Sequence, residues 1–197
     1  SSDRSLLILV SGGLTAVAFI YTQLKSKNPL MDISLFLDLR FTAAMFIGFA
    51  FGAGNFATNY AIPVFVQTVQ GFTATEAGLI IVPAGLLLIA LVPLSGRLAD
   101  QIPSHYPLMM GCIMFALAAF LLSSADVNTP FWTIAMIAIL SRSAIGIVMP
   151  NLGKTAMGGI PAEKLNQGAG TYNFIRQMGG AFGVNITALS IDMQTAR

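Results

Sequence analysis

Apolar residues in this chain fall into long runs, and charged or turn-forming residues separate the runs at a nearly constant spacing. A bilayer core of about 30 Å needs about 20 consecutive apolar residues to be crossed by one helix. The pattern therefore predicts an all-α, polytopic membrane protein with about six transmembrane helices. The predicted spans, A to F, cover roughly residues 5–24, 42–67, 76–96, 107–124, 130–153 and 166–191.

The intervals between the spans are short and contain helix-boundary signals. Thr73-x-x-Glu76 has the pattern of a capping box, which makes Glu76 a cap of span C in preference to a proton carrier. The longest connector, residues 25–41, predicts a short amphipathic segment at the membrane surface. The apolar residues assigned to its buried face are Leu30, Ile33, Leu35, Phe36 and Leu39.

The composition supports a membrane protein and excludes several other classes. Only 9% of the residues are charged and 55% are hydrophobic, whereas a soluble domain carries about 25% charged residues. The net charge of +2 and the lack of a basic run give no nucleic-acid footprint. The expected partner is therefore the lipid bilayer.

No constellation of residues in the sequence suits catalysis, a metal ion or a cofactor. Cys112 lies in an apolar run and is interpreted as a small packing residue, and His105 lies in a polar loop without a paired acid or nucleophile. The chain also lacks a Walker motif, which argues against ATP-driven transport by this chain. We therefore expect that it is not an enzyme.

Lysine and arginine are distributed unequally among the loops. The A–B, C–D and E–F loops together carry six basic residues, and the B–C and D–E loops carry none. Since basic loops stay on the cytoplasmic side, this bias predicts a multi-pass protein of the inner or plasma membrane whose Lys25, Arg97 and Lys164 loops are cytoplasmic.

Two arginines, Arg142 and Arg176, lie inside predicted spans. An arginine at membrane depth costs about 2.5–3.5 kcal/mol on insertion scales, so it usually faces the interior of a bundle. Either side chain could donate to the carbonyl end of a neighbouring helix and lock the packing. Alternatively, it could line a substrate pathway and pair with a substrate or an acidic partner.

Span F has a polar, small-residue face and an apolar back. The polar face is predicted to point inward, and Gly179-x-x-x-Gly183 would let another helix approach closely. The apolar back is predicted to face lipid or a neighbouring helix. The inward face contains Tyr172, Asn173, Arg176, Gly179, Gly180 and Gly183, and the back contains Phe174, Met178 and Phe182.

Span B contains a second polar cluster. Asn55 and Asn59 are four residues apart and share a helix face, and Tyr60 adjoins them. Pro63 removes the hydrogen bond to the carbonyl of Asn59. Bent helices with freed polar groups are typical of transporter sites, so these three side chains are candidates for lining a cavity. Hydrogen bonding between helices is the alternative.

Four stretches of the chain resemble one protein family. They are "NPLMDISLFLDLRF", "IPVFVQTVQGFTATEAGLIIVPAGL", "LSGRLAD" and "LSRSAIGIVMPNLGK…NQGAGTYNFIRQMGGAFGV". Together they resemble the C-terminal part of a major facilitator superfamily transporter, of the fourteen-helix drug:proton antiporter branch typified by EmrB and QacA. The run around Arg176-Gln177-x-Gly179-Gly180 is the most specific.

The resemblance implies a division of the chain and an activity. Residues 1–40 would be an extra transmembrane helix with a cytoplasmic connector, and 41–197 would be a C-terminal six-helix bundle without its last helix. The activity would be efflux of small amphipathic or cationic compounds by alternating access, coupled to protons. The partners implied are the small-molecule substrate, protons and a missing N-terminal bundle.

The resemblance also assigns a cytoplasmic gate motif to Gly96, Arg97 and Asp100. The family pattern continues with basic residues, but here Asp100 is followed by Gln101 and Ile102. Weaker charge pairing is therefore expected, with Arg97 and Asp100 close enough along a helix to interact locally.

An alternative function remains open at this point. The chain could be a truncated, non-transporting membrane subunit or scaffold that needs a separate N-terminal half.

Overall fold

The computed structural model describes residues 32–195 and scattered positions between residues 10 and 25. Span A and most of the connector that follows it lie outside the described residues. The elements of the described part are all helices, as the apolar runs predicted. Its helices are α1 (Leu39–Thr68), α2 (Ala74–Gln101), α3 (His105–Ser123), α4 (Phe131–Met157) and α5 (Leu165–Thr195), with 3-10 turns at Ile33–Leu37 and Ala162–Lys164.

Four of the described helices, α1 to α4, are long and apolar enough to cross a membrane. Helix α5 has 31 residues but is not among these four, and it carries Asn173, Arg176 and Gln177 in its central turns. Helix α5 nevertheless packs extensively on α1. We therefore place α5 in the same bundle as the four apolar helices.

Helix α4 is the central element of the bundle. It packs on α2 and α3 and contacts α1 and α5, and it is the most extensively buried of the four apolar helices. One apolar cluster joins α4 to α1 and α5, and a second joins it to α1 and α2. The first contains Phe41, Met45, Val148, Leu152 and Tyr172, and the second contains Ile62, Val66, Ile80, Ile134 and Ala138.

The start of α2 agrees with the boundary predicted from the sequence, and its end does not. At its start, the Thr73 N–H donates to the Glu76 carboxylate at 2.8 Å and the Glu76 N–H donates to the Thr73 hydroxyl at 3.3 Å, which confirms the capping box. At its end, the helix continues to Gln101, past the boundary predicted at residue 96. Arg97 and Asp100 therefore lie in the last turns of a helix and not in a loop.

The connector before α1 does not present one apolar face. Leu35 is buried in the cluster around Phe41, whereas Leu39 is 81% exposed. The 3-10 turn at Ile33–Leu37 and the change to α-helix at Leu39 alter the angular spacing of the side chains. The two leucines consequently point to different sides.

Glycine brings α1 and α5 into backbone contact. A Cβ atom at Gly179 would collide with the carbonyl oxygen of Phe49, and one at Gly183 would collide with that of Ala53. On the facing helix, a Cβ at Gly52 would collide with the carbonyl oxygen of Arg176. Since both helices contribute glycines, the two backbones approach more closely than larger residues would allow.

The loops pair in two groups, one at each end of the bundle. The Gln70 side-chain amide donates to the carbonyls of Asp126 at 3.1 Å and Thr129 at 2.9 Å, which joins the α1–α2 and α3–α4 loops. The Lys164 ammonium contacts the Asp32 carboxylate at 2.6 Å, which joins the segment before α1 to the segment before α5. The α1–α2 and α3–α4 loops thus meet each other, and the segments before α1 and before α5 meet each other.

The Asp32–Lys164 contact should make the stability of the folded chain depend on pH. The Lys164 ammonium and hydrogen bonds from Ser34 lower the pKa of Asp32 from 3.8 to about 2. A carboxyl group whose pKa is lowered on folding contributes stability above the unfolded pKa and loses it as the pH falls through the folded pKa. We expect Asp32→Asn to lower the free energy of unfolding by about 1 kcal/mol or less at neutral pH. The difference in the free energy of unfolding between wild type and Asp32→Asn should shrink between pH 4 and pH 2, as measured by denaturant unfolding. A difference that stays constant down to pH 2 would contradict this.

Candidate functional site

A narrow cavity lies between α1, α2 and α4, in the interior of the bundle. Arg142 of α4 donates through Nη2 to Oδ1 of Asn59, and Nδ2 of Asn59 donates to Oδ1 of Asn55 at 3.0 Å. The structure therefore brings together three of the residues singled out in the sequence. The cavity is lined by Asn55, Thr58, Asn59, Ile62, Ile81, Ala138, Ser141, Arg142 and Ile145.

The cavity contains a positive charge without a negative charge among its lining residues. Arg142 is half-buried, and no acidic residue lines the cavity. Ser141 is only 3% exposed, and its hydroxyl has no hydrogen-bond partner in the part of the chain that the structure describes. Buried polar groups are normally hydrogen-bonded, so the cavity contains a fixed positive charge and an unused hydroxyl.

Tyr60, the third candidate on α1, does not line this cavity. It is 37% exposed, and its position one residue after Asn59 turns it about 100° around the helix. The structure thus separates Tyr60 from the two asparagines.

Helix α5 presents two different exposed surfaces. On the first, Asn173 and Gln177 are exposed, and Arg176 Nη2 donates to Oδ1 of Asn173 at 3.3 Å. On the second, Phe174 is 44% exposed and Phe182 is 55% exposed, with Met178 between them. The guanidinium of Arg176 is thus held by a residue of its own helix, while the backbone of Arg176 contacts α1.

The Arg176–Asn173 pair and the Arg142–Asn59–Asn55 chain form two separate groups. They lie on different helices, and no hydrogen bond among the described residues joins them. Gly180, the remaining glycine of the predicted motif, faces the ring of Phe56, which a Cβ atom would approach to 2.6 Å.

The gate motif at the end of α2 has an unexpected partner. Asp100 forms an ion pair with Lys154 of α4 at 3.1 Å, and Lys154 also donates to the carbonyl of Ala99. The local pair expected between Arg97 and Asp100 is not formed. Lysine near a helix C-terminus satisfies free carbonyls and favours the helix dipole. Since Lys154 is 54 residues from Asp100, local spacing could not reveal it.

A buried polar contact between α2 and α4 was also missed in the sequence. Asn151 is fully buried and donates to the Ser95 hydroxyl at 3.1 Å and to the Ile147 carbonyl at 2.8 Å. Ser95 donates to the same carbonyl at 3.1 Å. The available signal was an amide within an apolar run, the feature that singled out Asn55 and Asn59.

The described residues contain no cluster of three or more potential metal ligands. Cys112, which was interpreted as a packing residue, is exposed on α3. Helix α3 packs mainly on α4, and Cys112 lies outside that contact.

The chain was compared with known protein families and with curated proteins. The family model of the Major Facilitator Superfamily matches residues 4–184. The lincomycin resistance protein LmrB of Listeria innocua is 27% identical over 195 residues, covering 99% of this chain and 41% of LmrB. The multidrug export protein EmrB of Escherichia coli is 28% identical over 189 residues, covering 94% of this chain and 37% of EmrB.

A third similar protein carries a related name. The colistin resistance protein EmrB of Acinetobacter baumannii is 25% identical over 190 residues, covering 96% of this chain and 36% of that protein. The chain therefore spans well under half the length of the curated relatives that it matches.

Proposed function

The chain belongs to the Major Facilitator Superfamily, and from that premise we propose that it forms the C-terminal part of a secondary transporter for small molecules. The substrates proposed are amphipathic or cationic compounds, exported by alternating access and in exchange for protons. The names of the similar proteins, which refer to lincomycin resistance, colistin resistance and multidrug export, support the substrate class and the direction. Proton exchange rests on the resemblance to the drug:proton antiporter branch.

The two exposed surfaces of α5 carry this proposal. An amide and a guanidinium exposed at membrane depth are costly against lipid, whereas Phe174, Met178 and Phe182 suit lipid well. We therefore assign the surface formed by Asn173, Arg176 and Gln177 to a water-accessible pathway. This would be the surface that faces the rest of the transporter.

In this proposal, polar groups on α5 contact the substrate and the end of α2 acts as the gate. The amide oxygens of Asn173 and Gln177 can accept hydrogen bonds from a protonated amine. Apart from Glu76 at the start of span C, the charged residues inside the predicted spans are the arginines Arg142 and Arg176. A counter-charge for a cationic substrate would therefore come from another part of the transporter. The end of α2, where Gly96, Arg97 and Asp100 lie, would act as the cytoplasmic gate through the contact with Lys154.

The proposal is tested by measuring accumulation of a fluorescent cationic dye in cells that express the complete gene product. We expect Arg176→Ala and Asn173→Ala each to raise dye accumulation, because each removes a polar group from the pathway. Phe174→Ala is the matched control, since it changes an exposed residue on the lipid-facing side of the same helix.

Three outcomes are informative. Equal efflux by wild type and Arg176→Ala at equal membrane levels would contradict a pathway role for Arg176. No efflux by the wild-type protein with any compound tested would favour the non-transporting subunit or scaffold. If dye efflux were lost only in Phe174→Ala, the assignment of the two surfaces would be reversed.

The proposal also includes an orientation, in which the loops that carry Lys25, Arg97 and Lys164 are cytoplasmic. In a background with Cys112→Ser, we expect a membrane-impermeant thiol reagent to label Val127→Cys in intact cells and to leave Glu163→Cys unlabelled. Both positions are exposed in the structure, so access should depend on the side of the membrane. The reverse labelling pattern would invert the orientation.

A further inference from the structure

The cavity between α1, α2 and α4 is rich in hydrogen-bond donors and lacks an acid. Arg142 uses one N–H on Asn59, which leaves four of its five guanidinium N–H groups without a described partner. Ser141 lines the same cavity and is only 3% exposed, and its hydroxyl has no hydrogen-bond partner among the described residues. The Asn55 amide, whose oxygen is occupied by Asn59, adds further N–H groups.

The charge of Arg142 has no counter-charge on the helices that form the cavity. Helices α1 and α4 contain no acidic residue, and α2 carries Glu76 and Asp100 only in its end turns. Away from water, a unit charge is screened weakly and attracts an opposite charge strongly. Neutral amide oxygens alone compensate it only in part.

The walls of the cavity limit what it accepts. Ile62, Ile81, Ala138 and Ile145 surround the polar groups, so the polar surface is small and set among apolar side chains. The free volume of the cavity is about 10 Å³, room for about one water-sized occupant. A single small ion is therefore the largest occupant that it accepts, and an organic molecule is excluded.

We propose that this cavity binds a small monovalent anion, such as chloride, as the counter-ion of Arg142. Arg142 supplies the charge, and the Ser141 hydroxyl and the Asn55 amide supply neutral donors. The ion would hold α4 to α1 through contacts with both helices. Anion binding is a property of the folded bundle and does not depend on the export activity proposed above.

The experiment measures thermal unfolding of the purified complete gene product in detergent, in sodium chloride and in sodium gluconate at equal ionic strength. Binding to the folded state alone raises the unfolding midpoint as the ligand concentration exceeds Kd. We expect a rise of about 2 °C or more in chloride, saturating with concentration. Bromide should act like chloride, because it has the same charge and a similar size.

Variants separate a bound ion from a general effect of salt. Arg142→Gln should abolish the chloride-dependent rise, and Ser141→Ala should shift it to a higher chloride concentration. Arg40→Gln, which changes an exposed arginine at the start of α1, should retain it. If Arg142→Gln does not fold, the titration of Ser141→Ala decides the matter.

The proposal is overturned if chloride and gluconate give the same midpoint for the wild-type protein, or if the rise is unchanged in both Ser141→Ala and Arg142→Gln. These outcomes differ from failure of the export proposal. A protein without a chloride effect that still exports dye would refute only the anion site.

Discussion

Replacing Gly179 with alanine is expected to destabilise the bundle strongly. The new Cβ atom would collide with the carbonyl oxygen of Phe49. Because that neighbour is backbone, it cannot rotate away, and α5 must move off α1. Overpacking of this kind costs about 1–3 kcal/mol and sometimes more. The measurement is the thermal unfolding midpoint of the purified complete gene product.

Gly170→Ala is the matched control for this prediction. Gly170 lies on the same helix, and a Cβ atom there meets no heavy atom within 4 Å. Alanine in a helix interior is favoured over glycine by about 0.5–1 kcal/mol, so this variant should be as stable as wild type or slightly more stable. Equal losses at both positions would show that the effect is not due to the contact with α1.

Replacing Arg142 with alanine is expected to reduce efflux at least tenfold. The change removes the donor to Asn59 and leaves the carboxamides of Asn59 and Asn55 without their link to α4. Polar groups left without a partner cost about 1–3 kcal/mol each when buried, and a cost of about 1.4 kcal/mol lowers the population of the arrangement that holds α1 to α4 tenfold. Dye accumulation measured at equal membrane levels checks this.

Arg142→Lys and Arg40→Ala complete that test. Lysine keeps the charge but lacks the planar, multiply donating guanidinium, so we expect partial recovery of efflux. Arg40 is exposed at the first turn of α1, so its loss should have little effect. Unimpaired efflux by Arg142→Ala would show that the contact between α1 and α4 is dispensable for transport.

Helices α1 to α4 could be predicted from the sequence because one physical requirement, an apolar run long enough to cross a bilayer, dominates their composition. The start of α2 was placed correctly since the Thr73–Glu76 capping box is local. Its end was placed five residues early, because Arg97 and Asp100 were treated as the limit of the helix. Charged residues do not stop a helix, and α2 continues to Gln101.

The contacts of the candidate site depend on tertiary packing and were less accessible to sequence reasoning. Asn55 and Asn59 share a helix face because they are four residues apart. Arg142, which donates to Asn59, lies 83 residues further along the chain. The ion pair between Asp100 and Lys154 and the buried contact between Ser95 and Asn151 also join α2 to α4. Spacing along one helix carries no information about such partners.

The faces of α5 were more accessible, because helical periodicity alone separates its residues. Phe174, Met178 and Phe182 are exposed on one side, while the glycines at 179 and 183 meet α1 on another. The direction in which Arg176 turns its guanidinium was left open between a neighbouring helix and a pathway. The structure pairs it with Asn173 of its own helix, which leaves its role in transport a proposal.

Cysteine scanning along α5 tests the central claim, that one exposed side of this helix meets water and the other meets lipid. Single cysteines would be introduced from residue 173 to residue 182 in the complete gene product with Cys112→Ser, and labelled in membranes with a water-soluble maleimide. We predict rapid labelling at positions 173 and 177 and slow labelling at 174, 178 and 182. Rapid labelling at the phenylalanine positions together with protection at 173 and 177 would contradict the account.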